Sequence, residues 1–195
     1  IHQVQVIREK GLDFSRALRS LMRQDPDIIL VGETRDTETA QAAMEAALTG
    51  HMVFTTLHAN DTATAITRLA EMEIPPYLIG ASTIGVVAQR LVRKVCPSCS
   101  FIRNLDKGKD DLAISFGVKK ARFLKRSVSA GNKNNGCLIC DGTGYKGRVG
   151  LYEVMKINDL IRELIMKQSN ADEIREQAFM KTGRTLLDYG MQLVK

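Results

Sequence analysis

The sequence predicts an α/β fold of three regions: a mainly parallel sheet with helices in residues 1–94, a cysteine-containing module in residues 95–150 and a small helical region in residues 151–195. Short apolar runs alternate with helix-like segments up to residue 94, which is typical of a parallel sheet. All four cysteines lie in the middle region. Helical spacing of apolar residues resumes after Tyr152, and this favours a separate helical region.

The chain opens with two predicted elements. Val4 and Val6 alternate with polar residues, which indicates a strand over residues 1–7. Apolar residues then recur at helical spacing and predict an amphipathic helix over residues 13–24. Pro26 helps to end this helix, because a proline disfavours helical backbone in the residue before it.

Two buried strands and three helices are predicted next. Four consecutive apolar residues predict a strand buried on both faces, and a similar run follows Gly50. Aspartate or asparagine precedes two of the helices as a predicted N-cap, at Asp36 and at Asn60 or Asp61. Pro75 and Pro76 separate the second of these helices from a third. The predicted bounds are strands 28–31 and 52–57, and helices 37–48, 62–72 and 77–94.

The rest of the chain contains a predicted loop and three predicted helices. The loop covers residues 131–136, where glycine, lysine and asparagine accumulate. Asn158 is the predicted N-cap of the first helix, and Asn170 with Glu173 resembles a capping box for the second, which Gly183 ends. The helices are predicted over residues 159–168, 171–182 and 185–194.

Composition and charge narrow the function classes. Hydrophobic residues make up 44% and charged residues 26% of the chain, as in an ordinary soluble globular protein. The net charge is +6, but aromatic residues are only 5% and tryptophan is absent. A stacking platform for bases therefore lacks its side chains, and no nucleic-acid partner is expected. The chain lacks a signal peptide and an initiator methionine and starts in a predicted strand, so we expect a fragment of a longer protein.

The cysteines form two C-x2-C pairs, Cys96 with Cys99 and Cys137 with Cys140. Two such pairs supply four thiolates for a tetrahedral zinc ion. Residues 100–136 separate them, which is a longer spacing than in a compact zinc ribbon, so redox or free core thiols stay open as alternatives. Gly142, Gly144 and Gly147 match a dinucleotide fingerprint by letter only; without a preceding strand they are predicted to be turn glycines.

Two motifs carry the strongest functional signal. DPDIILVGETRD at residues 25–36 places Glu33 just after an apolar strand, where open α/β sheets bind ligands. This is the Walker B arrangement, in which a strand delivers a carboxylate beside Mg²⁺ and the terminal phosphate. TGHMVFTTLHAND at residues 49–61 forms a second motif, in which His51 and His58 bracket a strand.

With these motifs the chain resembles the secretion ATPases of bacterial type II secretion and type IV pilus assembly, the GspE/PilB family. A Walker B box and a His box of this form follow one another in that family. The resemblance continues through residues 89–92, the cysteine pairs and residues 142–148, and so covers nearly the whole chain. It implies the C-terminal half of a RecA-like P-loop ATPase core with a tetracysteine zinc-binding insert.

The resemblance also implies roles for particular residues. Glu33 would be the catalytic carboxylate, with Asp27 a weaker candidate at the far end of the strand. His58 would sense the terminal phosphate, whereas His51, at the opposite end of its strand, is expected to be structural or interfacial. Arg35 and Arg90 would each contact phosphate or a neighbouring subunit, or form an ordinary ion pair. The implied zinc ligands, which a long insert separates in assembly-type members, are Cys96, Cys99, Cys137 and Cys140.

For the whole protein the resemblance implies a motor. The expected ligands are ATP, Mg²⁺ and structural Zn²⁺, and the expected assembly is a homo-hexamer that powers pilin or pseudopilin polymerisation. It would work in the cytoplasm, peripherally at the inner membrane, with a membrane platform protein and a cytoplasmic adaptor. The Walker A sequence G-x4-G-K-[ST] is not among these residues, so the chain alone is expected to be inactive.

Three alternatives remain open from the sequence. The first is a zinc-stabilised docking module that contacts the membrane platform without an enzymatic role. The second is a related motor for DNA uptake or pilus retraction, although retraction members generally lack the cysteine insert. The third is a nucleic-acid-binding zinc ribbon, which fits the charge of +6 but leaves the two motifs around Glu33 and His58 unexplained.

Overall fold

The computed structural model describes residues 1–106, 109, 120–124, 137–180 and 184–194. The predicted loop at residues 131–136 and the predicted helix end at Gly183 lie outside these residues. The chain divides into two compact units, one of Ile1–Ala88 with Val154–Gly183 and one of Gln89–Glu153 with Arg184–Lys195. Within the described residues, no helix combines the length and apolar character needed to cross a membrane.

The first unit contains six α-helices and two complete strands among its described residues. The strands are β1 (Ile28–Val31) and β2 (Met52–Thr55), and short 3-10 helices cover Arg8–Lys10 and Met22–Gln24. The helices are α1 (Phe14–Leu21), α2 (Thr37–Leu48), α3 (Thr62–Glu71), α4 (Pro76–Ser82), α5 (Asp159–Met166) and α6 (Ala171–Phe179).

The remaining elements are four strands and one helix. The four strands form two sheets of two strands each. The elements are β3 (Gly85–Val95), β4 (Ser100–Asn104), β5 (Lys120–Leu124), β6 (Tyr145–Lys156) and α7 (Leu186–Val194). β4 and β5 pair antiparallel. β3 pairs with β6, and the pair is antiparallel because Ile157 N–H donates to the Ile84 carbonyl at one end and Cys96 N–H to the Gly144 carbonyl at the other.

β1 and β2 form a parallel pair in which Ile28 lies beside Met52 and Leu30 beside Phe54. The other β1 side chains, Ile29 and Val31, are buried against helices α1 and α2. Ile28 and Leu30 are 65% and 75% exposed. The prediction of a strand buried on both faces is therefore wrong for this structure, because the described helices cover only one face of the pair.

Two predicted elements are corrected. The helix predicted over residues 77–94 ends at Ser82, and the extended residue Thr83 leads into β3. β-Branched residues around Val86 and pairing with β6 favour the strand there. The strand predicted over residues 1–7 is only an isolated bridge between Ile7 and Leu12, since no described strand lies beside it.

The helix starts agree well with the predicted caps. The Asp36 carboxylate accepts a hydrogen bond from Thr39 N–H at 2.8 Å at the start of α2. Asp61 and Thr64 form a reciprocal capping box at the start of α3, and Asn158 and Asn170 cap α5 and α6. These caps satisfy N–H groups that have no partner within the helix.

The main core of the first unit joins helices α2 to α6 with the end of β6. Its members are almost completely buried, including Ile74, Ile79, Met155, Ile161 and Ile174. Full burial of one such side chain stabilises the fold by about 1.5–3 kcal/mol. This core packs α5 and α6 against α3, the helix that follows the His58 motif, although α5 and α6 lie about 90 positions or more further along the chain.

Candidate functional site

Glu33 lies just beyond β1, at the carboxyl ends of the parallel strands β1 and β2. This is the end of an open parallel sheet at which ligands bind. Its side chain is 30% exposed, so a carboxylate there meets both protein and solvent. The Walker B role of Glu33 stays a prediction, for which this place at the end of β1 is the structural basis.

Hydrogen bonds from the end of β2 fix the backbone on both sides of Glu33. Thr34 N–H donates to the Thr56 carbonyl at 2.9 Å, and the Thr56 hydroxyl donates to the Gly32 carbonyl at 2.7 Å. The hydroxyls of Thr34 and Thr55 are 2.8 Å apart, and Thr34 is buried. The two peptide groups that flank Glu33 are thus tied to the neighbouring strand.

The structure brings three predicted site residues together. Glu33 Oε2 lies 2.6 Å from Arg35 Nε and 3.7 Å from His58 Nε2. The side chains of Arg35 and His58 are 60% and 85% exposed. The Arg35 guanidinium and the His58 imidazole are therefore accessible to an anion from solvent. A carboxylate with two basic groups beside it can accept a proton while the basic groups contact phosphate oxygens.

His51 and Asp27 lie at the other end of the strand pair. The Met52 N–H donates to the Asp27 carbonyl at 3.0 Å, where β2 begins. The His51 Nδ1 lies 3.0 Å from the Ala46 carbonyl and 3.1 Å from the Thr49 hydroxyl. These contacts place the His51 ring at the C-terminal end of α2, as expected for a structural histidine.

The four cysteines form one cluster in the second unit. Their Sγ atoms all lie within 4.8 Å of one another, and the Cys99 and Cys140 sulfurs are 3.6 Å apart. Sulfurs bound tetrahedrally at about 2.3 Å from zinc are separated by about 3.8 Å. The cluster therefore has the ligand set and the size for a metal ion with four thiolate ligands. Cys96, Cys99 and Cys140 are buried.

The loops around the cluster are shaped to place the sulfurs. Gly144 N–H donates to Cys140 Sγ at 3.3 Å, and Cys96 N–H donates to the Gly144 carbonyl at 2.8 Å. Gly142 and Gly144 lie in the turns before β6 with φ values of 75° and 79°, which confirms the prediction of turn glycines for these two. Gly147 has a φ of 75° but lies within β6, so the prediction is wrong for it.

The surroundings of the cluster shift the pKa values of two thiols in opposite directions. Burial and the neighbouring thiols of Cys140, Cys96 and Cys137 raise the pKa of Cys99 to about 12. Backbone hydrogen bonds at Cys140 and Ile139 lower the pKa of Cys137 to about 6. A bound divalent cation would stabilise the thiolate forms of all four ligands together, because it supplies the charge that a buried cluster of thiolates lacks.

One interaction near the site has no local sequence signal. Arg175 Nη2 on α6 lies 2.8 Å from Asp61 Oδ2, and 114 residues separate the two positions. Asp61 is the N-cap of α3, only three positions after His58. A pairing of this kind follows from the packing of α3 against α6, and no spacing rule within the sequence could have identified it.

Comparison with known proteins matches residues 1–195 to the family described as type II/IV secretion system protein. The chain is 47% identical over 191 residues to the type IV pilus assembly ATPase PilB of Thermus thermophilus, covering 98% of this chain and 21% of that protein. It is 40% identical over 195 residues to the type II secretion system ATPase E of Vibrio cholerae, covering 100% of this chain and 37% of that protein.

A solved structure is similar in fold. The ATPase DotB of Yersinia pseudotuberculosis superposes with a TM-score of 0.63 at 23% identity, covering 99% of this chain and 39% of that one. This similarity confirms the predicted α/β fold class. The chain spans well under half the length of each of these proteins.

Proposed function

The chain belongs to the family of type II/IV secretion system proteins, and we propose that it supplies the catalytic carboxylate of an ATP-hydrolysing motor. The observation that carries this proposal is the position of Glu33 at the carboxyl ends of β1 and β2, with Arg35 and His58 beside it. The names of the two relatives, a pilus assembly ATPase and a secretion ATPase, support the same activity.

Glu33 accepts a proton from the water molecule that attacks the terminal phosphorus of ATP. Both of its described basic neighbours lie nearest Oε2, so we assign acceptance of the proton to Oε1. A carboxylate positioned in this way accelerates proton transfer about 10²–10⁴-fold. His58 and Arg35 contact the phosphate oxygens and balance the negative charge there. Bound Mg²⁺ would neutralise further phosphate charge.

The same proposal includes a requirement for residues outside this chain. The backbone cradle, lysine and hydroxyl of a Walker A loop hold the phosphates in P-loop ATPases, and that sequence is not among these residues. We therefore propose that the chain alone neither binds ATP tightly nor hydrolyses it, and that the active form is a longer protein.

We also propose that Cys96, Cys99, Cys137 and Cys140 hold a structural Zn²⁺. Four protein thiolates leave no open coordination position, so a zinc ion there has no catalytic water. Two observations support the zinc site: the four Sγ atoms lie within 4.8 Å of one another, and turn glycines adjoin the cluster. The ion would order the ends of the segment between the two cysteine pairs.

For the whole protein we propose a homo-hexamer that powers pilin or pseudopilin polymerisation. It would act in the cytoplasm, peripherally at the inner membrane, through a membrane platform protein and a cytoplasmic adaptor. The relatives' names support a task in pilus assembly or type II secretion. A DNA-uptake motor is the alternative within the same family.

A docking module is the second candidate function, and one observation favours it. The cysteine cluster lies in its own compact unit, which does not include Glu33 or His58. Such a unit could bind the membrane platform without taking part in hydrolysis. Loss of platform binding in a zinc-site variant that retains full ATPase activity would favour this candidate for the cysteine-containing unit.

The first experiment is the steady-state ATPase activity of the complete protein with Mg-ATP. Glu33→Gln keeps the size of the side chain but removes its basicity, so we expect kcat to fall at least about 100-fold. Glu38→Gln is the control: it makes the same chemical change at an exposed residue of α2, five positions after Glu33, and should retain wild-type kcat. The isolated 195-residue chain should show no turnover.

The outcomes separate the parts of the proposal. If Glu33→Gln hydrolyses ATP at the wild-type rate, the assignment of the catalytic carboxylate is wrong and the docking function becomes the better explanation. If the isolated chain hydrolyses ATP, the requirement for a Walker A loop is wrong while the activity itself is supported.

A further inference from the structure

Arg175 connects helix α6 to the segment that carries His58. Its guanidinium lies 2.8 Å from Asp61 Oδ2, and the two side chains are 33% and 21% exposed. A second carboxylate, that of Asp172, contacts the same guanidinium from α6 itself and is 91% exposed. An ion pair with so exposed a carboxylate contributes little, so the contact that matters for Arg175 is the one with Asp61 at the start of α3.

Both oxygens of Asp61 are used. Oδ1 accepts a hydrogen bond from Thr64 N–H at 2.8 Å, and Oδ2 receives Arg175. Burial alone would raise the Asp61 pKa, but the hydrogen bonds from Thr64 and the charge of Arg175 outweigh it and hold the pKa below its ordinary value. The Asp61 carboxylate is therefore ionised and fixed at neutral pH.

The segment between β2 and α3 is short and is fixed at both ends. Thr56 holds its upstream end through hydrogen bonds at Gly32 and Thr34. Three residue steps from His58 to Asp61 span at most about 11 Å. His58 is 85% exposed, so few contacts of its own ring hold it near Glu33. The position of His58 therefore depends on where its segment is held: at Thr56, at Leu57, which packs against the main core, and at Asp61.

We propose that Arg175 is a positioning residue for His58, which acts by fixing Asp61 at the downstream end of the His58 segment. The proposal rests on the proposed ATPase function of this site. It also makes α6 a part of the catalytic apparatus, since a displacement of that helix would move Asp61 and hence His58. α6 is anchored in the main core through Ile174, next to Arg175.

The test compares four variants of the complete protein: Arg175→Gln, Asp61→Asn, the double variant and Asp172→Asn. Asparagine is as good an N-cap as aspartate, so Asp61→Asn removes the ion pair while keeping the cap of α3. Asp172→Asn is the matched control, because it removes only the exposed carboxylate on Arg175. Steady-state kcat and KM for Mg-ATP and the melting temperature are measured for each.

Arg175→Gln and Asp61→Asn should each lower kcat about 5–20-fold with KM changed less than about twofold, because a small misplacement of a catalytic group affects turnover more than binding. The double variant should be no slower than the slower single variant, since both changes remove one interaction. Asp172→Asn should retain wild-type kcat. Wild-type kcat in Arg175→Gln, or additive losses in the double variant, would overturn the proposal.

A readout that needs no turnover separates this inference from the proposed function. Amide hydrogen exchange of residues 57–61 should speed up in Arg175→Gln, while exchange in β2 stays as in the wild type. If exchange changes but the wild-type protein does not hydrolyse ATP, the proposed function fails and the positional role of Arg175 stands. If exchange is unchanged in both Arg175→Gln and Asp61→Asn, the positional role itself is refuted.

Discussion

Thr56, just after β2, holds the backbone on both sides of Glu33. Its carbonyl accepts from Thr34 N–H and its hydroxyl donates to the Gly32 carbonyl, so it holds the peptide groups on both sides of the carboxylate. A glutamate that must lie within hydrogen-bond reach of one water molecule depends on that backbone. Thr56 is exposed, and its sequence position alone indicates only that it lies near the end of a strand.

Thr56→Val should lower kcat of the complete protein about 2–10-fold. Valine keeps the shape of threonine but cannot donate to Gly32, and the loss of one hydrogen bond corresponds to about 0.5–1.5 kcal/mol. Thr56→Ser retains the hydroxyl and should retain most of the activity. Steady-state kinetics with Mg-ATP measure kcat and KM, and KM should stay close to the wild-type value.

Thr67→Val provides the control for this prediction. The Thr67 hydroxyl also donates to a backbone carbonyl, that of Thr64 at 3.2 Å, but within helix α3. The Thr67→Val variant should therefore leave kcat unchanged. Equal activity of Thr56→Val and the wild type, or equal loss in Thr56→Val and Thr56→Ser, would contradict the role given to the Thr56 hydroxyl.

The site residues that the sequence identifies belong to local motifs, whereas the one that it misses acts through a contact with a residue far away in the chain. Glu33 and His58 follow from motifs in which a strand and a charged side chain are adjacent in the chain, and the structure brings these residues together. Arg175 lies 114 positions from Asp61 and has no motif of its own. Its contact exists only because helices α3 and α6 pack, so tertiary structure is needed to find it.

At the scale of elements, local signals succeeded where a cap or a turn decides the structure. Asp36 and Asn158 accept from N–H groups three residues later, and this chemistry is complete within a few residues. For β3 the sequence predicts a helix, because its apolar residues fit the helical period as well as the strand period. The strand forms because β6 lies beside it, and this partner begins 50 positions after β3 ends.

Cys137→Ser should remove zinc from the complete protein and loosen the cysteine-containing unit. Serine is a poor ligand for zinc in place of a thiolate, and structural zinc contributes on the order of 10 kcal/mol to folding in small zinc modules. Metal content by mass spectrometry and limited proteolysis are the measurements. We expect less than one zinc ion per chain and new cleavage between the two cysteine pairs.

Ser98→Ala tests whether the effect belongs to metal binding. Ser98 lies between Cys96 and Cys99 but offers no sulfur, so this variant should retain zinc and resist cleavage as the wild type does. Retained zinc together with unchanged proteolysis in Cys137→Ser would sink the tetracysteine assignment. Loss of zinc from both variants would point instead to a general weakening of the first cysteine loop.

At the scale of the whole molecule, the chain leaves its first compact unit and returns to it. Residues 154–183 belong with residues 1–88, while residues 89–153 and 184–195 form the second unit. Sequence-based boundaries divide a chain into consecutive pieces, so they do not predict a unit assembled from separate stretches. The division into regions 1–94, 95–150 and 151–195 stays a prediction drawn from composition and spacing.

The surface of the whole chain also reflects what the sequence can and cannot tell. The net charge of +6 is visible in the composition, and it favours contact with anionic surfaces without naming one. The exposed apolar side chains of Ile28, Leu30 and Phe54 on one face of the β1–β2 pair were predicted to be buried. Only the structure shows that the described helices leave this face uncovered.

The short path across the cysteine cluster has a consequence for the order of folding. The Cys99 and Cys140 sulfurs are 3.6 Å apart although 41 positions separate them in sequence. Closing a loop of that length costs about 3 kcal/mol of chain entropy, and antiparallel pairing of β3 with β6 must overcome this cost before it gains any contact. Zinc captured by the unfolded chain would close the loop first and bring Cys96 beside Gly144. Refolding of the β3–β6 strand pair should therefore be faster with zinc than with a chelator. Equal refolding rates in stopped-flow measurements would show that the strands find each other without the ion.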